Sequence, residues 1–133
     1  MNTSVAEKLG TVPLYERLGA AAGIERLVDA SIDGHMRNPA IKARFLPYRD
    51  APDRLAELKQ HLCRFMAVGT GGPDEYDGRS MPEAHRGMNV SEAEYMAATD
   101  DILNAMDGHG YDRALRNEVL AILYSLKEEI MRV

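Results

Sequence analysis

Apolar residues recur at intervals of three and four along most of this chain, and few stretches alternate with a period of two. That spacing lays one apolar face along each helix, so the pattern predicts an all-α domain. A short helix is expected from about Pro13, with Thr11 as its cap. It carries Leu14, Tyr15 and Leu18 and stops at Gly19. A second helix is expected from about Ala21 to Arg37, with Ile24, Leu27, Val28, Ile32 and His35 on one broad face. Asn38-Pro39 ends it, because the residue before a proline avoids helical angles. A short piece from Ala40 to Phe45 and a loop from Leu46 to Arg49 come next. Asp50 is the expected N-cap of a helix from about Ala51 to Val68. Pro52 sits in its first turn, and Leu55, Leu58, Leu62, Phe65 and Met66 form its apolar stripe.

The run from Gly69 to Pro73 must end that helix, and Asp74 to Arg79 reads as a polar loop containing Tyr76. Ser80-Met81-Pro82-Glu83 has the form of a capping box opening a short helix that holds His85. Ser91 to Glu94 repeats that form before a helix with Tyr95, Ala98, Ile102 and Met106 on one face. Gly108-His109-Gly110 closes it. The last helix, about Arg113 to Arg132, is expected to bury Leu115, Val119, Ile122, Leu126 and Ile130. Long helices with short connections suggest antiparallel neighbours. The glycine-rich stretch from Gly69 to Gly78 is longer than such a connection needs, and long ordered loops usually serve a site.

Length and charge narrow the picture. The chain has 133 residues, enough for one core and one domain over 1–133, with Met1 to Gly10 a loose extension. A net charge of -5 without a basic run argues against nucleic-acid binding. No apolar run approaches the roughly 20 residues of a membrane span, and no secretory signal is visible, so a cytoplasmic domain is expected. One cysteine, Cys63, leaves no disulfide framework and no CxxC site.

The four histidines, His35, His61, His85 and His109, form no close metal-ligand motif. No phosphate-binding loop or nucleophile elbow is present. His85 stands out, on a short capped helix beside Met81 and Met88, directly after the glycine-rich loop. That helix can fold over an apolar slot lined by the Ala51 to Val68 helix, and a neutral imidazole facing such a slot suits a haem ligand. The ordinary alternative is a histidine hydrogen-bonded at a helix edge.

Several blocks in order resemble the group I truncated haemoglobins. They are Leu14 to Gly19 with Gly23-Ile24, then Leu58 to His61 through Phe65, then Gly71 to Pro73 with Tyr76 to Met81, then Ala84-His85. The similarity runs from about Leu14 to Ile130. It implies a two-over-two helical sandwich around haem b that binds diatomic gases: oxygen, nitric oxide or carbon monoxide. It places His85 at the proximal ligand, Phe45 against the haem plane and Tyr76 in the loop shaping the proximal side. Ile32, Leu58, Leu62, Phe65, Met81, Met88 and Tyr95 complete the expected lining. Lys59 and Arg79 are candidates for the haem propionates.

On the distal side the chain departs from the family pattern. Where a tyrosine and a glutamine commonly stand, it has Ile32 and Leu62, next to Ser31 and Leu58. Neither apolar side chain donates a hydrogen bond, so faster oxygen loss and easier autoxidation are expected. His61 lies about 60° round the helix from Leu58 and about 100° from Leu62, at the edge of the stripe. Some relatives use a histidine at the matching position as a sixth iron ligand, and the same is expected of His61 when no gas is bound. His35 is the second, weaker candidate for the pocket, and His109 is expected in solvent. Glu128 stands near where some relatives attach haem covalently through a histidine, so no covalent link is expected by that route. Nitric oxide dioxygenation with a reductase partner, weak peroxidase chemistry, and a cofactor-free interaction module are the alternatives.

Overall fold

The structure, a computed structural model, describes residues 12–73, 76 and 78–133. Among these residues the chain forms α1 (Leu14–Arg17), α2 (Ala20–Arg37), α3 (Lys42–Arg49), α4 (Pro52–Gly69), α5 (Met81–His85), α6 (Glu92–Gly108) and α7 (Arg113–Ile130). Gly19 makes the first corner. Its φ of +102° is a left-handed conformation that a side chain would strain, and it lets α2 start one residue after the turn. Asn38 takes an extended conformation before Pro39 and ends α2 as expected.

Helix α2 is the hub, packing on α4 along one side and on α6 along the other. Helix α6 also packs on α7, so the pair α2 and α4 crosses the pair α6 and α7 in a two-over-two sandwich. Helix α3 bridges α2 and α4, and the short α5 rests on α7. Leu18, Ile24, Leu27, Ile32 and Met106 are fully enclosed where α2 meets its neighbours. Each such side chain contributes about 1.5–3 kcal/mol relative to exposure. A second cluster of Val90, Tyr95 and Ile130 lies at the other end of α6 and α7. There the chain end is held by a parallel bridge between Val90 and Met131, and the Gly87 N–H donates to the Val133 carbonyl at 3.0 Å.

The helix ends agree in part with the sequence expectations. Ser91 and Glu94 form a complete capping box, and Asp112, not foreseen, caps α7 by accepting from the Leu115 N–H at 2.9 Å. At Ser80 the hydroxyl accepts from the Glu83 N–H and donates to the Glu83 carboxylate at 2.9 Å. Three expectations are corrected. Leu46 to Arg49 is not a loop but the end of α3, which continues through Pro47. The proline deprives the Ala43 carbonyl of a helical donor, and Ala43 is exposed, so water can serve instead. Asp50 does not cap α4; Ala51 stands at the N-cap with no side-chain bond. The last helix ends at Ile130, because Met131 leaves it to reach Val90. The expected cap Thr11 and the extension Met1 to Gly10 lie outside the described residues.

Candidate functional site

Between the helix pairs lies a cavity of about 650 Å³, in the range of small-molecule and cofactor sites. Its walls come from α2 through α7 and are mainly aliphatic and aromatic. This explains an oddity of α4. The stripe residues Leu58, Leu62, Phe65 and Met66 are only half-buried, although the helix is central. They face the cavity instead of packed atoms, so their dispersion contacts await an apolar occupant.

His85 ends α5 and lines this cavity. Its Nδ1 lies 2.9 Å from the Met81 carbonyl oxygen, one turn earlier on the same helix. A carbonyl only accepts, so Nδ1 carries the proton and Nε2 keeps its lone pair. Imidazoles that ligate metals are typically fixed in this way, by a hydrogen bond from the other ring nitrogen. The Ser80 cap and the packing of α5 on α7 hold the short helix that presents the ring.

Most of the other expected residues gather around the same space. Ile32, Phe45, Leu58, Leu62 and Phe65 line it, as do Met81, Met88 and Tyr95. His61 lines it too but is exposed, which puts it at the rim of α4. Tyr76 and Arg79 belong to the wall, with the Tyr76 hydroxyl donating to the Arg79 carbonyl at 2.8 Å. The Tyr76 ring meets Phe65 edge-on at 5.3 Å, which places Tyr76 against α4. Lys59 is not among the residues lining the cavity and forms an ion pair with Asp29 at 3.0 Å. One helical position separates it from Leu58, so it faces a different neighbour. His109 is exposed, as expected.

Several hydroxyls around the cavity donate to backbone carbonyls. Ser31 donates to Leu27 at 2.7 Å, Thr99 to Tyr95 at 3.0 Å and Thr70 to Met66 at 2.7 Å. The Tyr95 hydroxyl donates to the Leu123 carbonyl, and burial, reinforced by Glu129, pushes its pKa up to about 12.

His35 is the residue whose weight the sequence understated. It is 6% exposed, lines the cavity, and stacks on Phe45 with ring centroids 4.7 Å apart. Its Nδ1 lies 2.8 Å from the Asp101 carboxylate, and Asn38 donates to both oxygens of that carboxylate at 3.1 Å. Burial lowers the His35 pKa from its ordinary value, and Asp101 opposes this. The place of His35 on the apolar face of α2 was a signal in the sequence. Asp101 gave none, since only the crossing of α2 and α6 makes it a partner.

Arg44 and Glu94 close the rim with a pair 2.5 Å apart, and Arg44 also donates to the Met88 carbonyl at 2.8 Å. Hydrogen bonds from Arg44, then from the Ser91 N–H, hold the Glu94 carboxyl down to about 2. A depressed carboxyl stabilises the folded form above its ordinary pKa, and that contribution is lost as pH falls through the folded value. Glu94→Gln should therefore flatten the loss of stability between about pH 4.5 and pH 2, followed by thermal melts across that range. At neutral pH it should also destabilise the protein by at most about 1 kcal/mol, through the lost charge in the bonds from Arg44, since the glutamine oxygen can still accept from the Ser91 N–H. Unchanged acid sensitivity would dismiss the pair as a latch.

Helix pairs crossed around an apolar slot, with imidazoles presented from separate helices, define a globin. Residues 13–132 match the family model described as bacterial-like globin. Group 1 truncated haemoglobins are similar in sequence: that of Nostoc sp. is 30% identical over 97 residues, covering 73% of this chain and 78% of the relative. That of Synechocystis sp. is 29% identical over 113 residues, covering 82% and 87%. In structure, the truncated haemoglobin of Tetrahymena pyriformis in its Fe(III) form superposes with a TM-score of 0.83 at 20% identity, covering 92% of this chain and all of that one. The 2/2 haemoglobin of Synechococcus sp., solved with covalently attached haem, gives 0.77 at 24% identity, covering 89% and 95%. The chain belongs to the bacterial-like globin family, among the group 1 truncated haemoglobins.

The residues present fit a haem. The slot is apolar and of cofactor size, and His85 offers a fixed Nε2 to it. Among the described residues no group of three or more His, Cys, Asp or Glu side chains could hold a metal ion together. A single imidazole such as that of His85 suits an iron that brings its own ring of nitrogens.

Proposed function

We propose that this globin holds haem b through Nε2 of His85 and binds diatomic gases reversibly at the iron. When bound, the haem supplies an iron that takes small neutral ligands and changes oxidation state. The observation that carries the reading is the 2.9 Å hydrogen bond from His85 to Met81, which leaves the other ring nitrogen for the cavity. Phe45 flanks the slot, and Leu58, Leu62 and Phe65 exclude water from it. Arg79 lines the rim, where a propionate would find a cation.

His61 would hold the haem iron by a second imidazole when no gas is bound. Support comes from its place on the cavity rim of α4, next to Leu62 and one turn from Leu58. Absorption spectra of the oxidised and dithionite-reduced protein test both assignments. A Soret band with low-spin visible bands is expected, and His61→Ala should convert them to high-spin. High-spin bands that ignore the substitution would remove His61 from the iron.

Ile32 and Leu62 lend no hydrogen bond to bound oxygen, so rapid oxygen release is expected of the ferrous protein. A reductase is the partner this reading requires, because oxygen is taken up by ferrous iron. The described residues contain no helix long and apolar enough to cross a membrane, and we place the protein in the cytoplasm.

A further inference from the structure

We propose that His35, backed by Asp101, is a built-in base for small weak acids of the form H–X, such as hydrogen cyanide, hydrogen sulfide or hydrogen peroxide. Such a molecule enters the haem pocket neutral and binds there as its anion. The inference rests on the haem reading above, and it extends the ligands beyond neutral gases.

The geometry places one basic nitrogen inside an apolar chamber. Nδ1 of His35 faces Asp101 at 2.8 Å, so with an ionised carboxylate it carries the proton and Nε2 bears the lone pair. Nε2 has no hydrogen-bond partner among the described residues, yet it is not one of the fully enclosed polar atoms. It therefore opens onto the cavity that His35 lines. The surrounding hydroxyls of Ser31, Thr70, Thr99 and Tyr95 donate to backbone carbonyls.

Proton balance follows directly. The H–X bond breaks, its electron pair stays with X, and the proton moves to the lone pair of Nε2. X⁻ would stay in the cavity, where a bound haem would hold it, and the ring would become imidazolium. An uncompensated imidazolium would be costly in this setting. Here it lies between two anions, Asp101 on the Nδ1 side and X⁻ in the cavity. Burial favours the neutral His35 ring, against the pull of Asp101, while the cavity holds no anion; an anion in a low-dielectric chamber shifts the balance toward imidazolium. Phe45, stacked on the ring, adds a favourable face for the cation. The other charged or titratable groups lining this space are Tyr48 and Arg44 of α3, the latter paired with Glu94 of α6, His61 of α4, Tyr76 and Arg79 ahead of α5, His85 of α5 and Tyr95 of α6.

The far side of the pair is wet. Asp101 and Asn38 also line a polar cleft of about 400 Å³ between α2 and α6, open to solvent. Asn38 is oriented by the Ala40 N–H, which donates to its side-chain oxygen at 3.0 Å, so the carboxylate is held while it borders water.

Proton counting tests the proposal. The ferric haem-loaded protein is titrated with cyanide at about pH 8, where an exposed imidazole is neutral. Calorimetry in two buffers of different ionisation enthalpy gives the protons released per cyanide bound. The wild type should release about zero protons and His35→Leu about one; Asp101→Asn should move the count well toward one while sparing the core packing. Release of about one proton by the wild type, or a count that His35→Leu leaves unchanged, overturns the proposal. In both outcomes the spectral change of cyanide binding is intact, and the haem reading stands. A protein with no such spectral change would sink the haem reading itself.

Discussion

His85→Ala should strip the protein of stably held haem. Both ring nitrogens are already assigned, since Nδ1 is committed to the Met81 carbonyl and Nε2 is left for the slot. Altering a mere outer partner of a metal ligand costs about 10–100-fold in metal affinity, and losing the ligand should exceed that. The expected result is a folded helical protein that loses its Soret band on gel filtration or on mixing with apomyoglobin. His85→Gly with added imidazole should regain it, since the cavity keeps its apolar walls and the small base refills the vacated place. Full haem retention with unaltered spectra in the alanine variant would end the assignment of His85.

The second large effect concerns the frame. Gly23→Ala should destabilise the fold by about 3 kcal/mol, the upper end for overpacking a tight core. A methyl group at this position would lie 2.0 Å from the Leu18 carbonyl oxygen and 2.9 Å from its carbon. That carbonyl cannot step aside. It accepts the Tyr111 hydroxyl from the connection between α6 and α7, and Leu18 itself is fully enclosed. The melting temperature should fall by about 10 °C, read by circular dichroism. Gly108→Ala is the control, because a methyl there meets nothing within 4 Å and should cost little. Equal melting of the two variants would show that the corner yields more easily than its contacts suggest.

The helical frame was legible because its signals are local. The α2 face named from spacing, Ile24, Leu27, Val28, Ile32 and His35, is buried throughout. Proline and capping serines announced the starts of α4, α5 and α6 within a residue or two. Errors fell where a local rule competed with context. Pro47 reads as a helix breaker, but an exposed turn tolerates its missing donor. Asp50 has the chemistry of an N-cap, yet it follows the last turn of α3 and caps nothing in α4.

Of the candidate site, the apolar walls and the place of His85 on the cavity were legible, and the polar partners poorly so. Lys59 and Leu58 are adjacent in sequence, but one helical step sends Lys59 to Asp29 while Leu58 faces the cavity. Arg44 and Glu94 are 50 residues apart and meet only because α3 folds over the start of α6.

From the order of residues alone came the helices, their apolar faces and the imidazole at the end of a capped turn, because periodicity and capping act within a few residues of chain. Whether those faces close on one another or stand apart depends on how the pairs cross, and only that crossing left the slot open. It alone also joined His35 to Asp101 across 66 positions, since the hydrogen bond between them exists only once α2 and α6 are in contact.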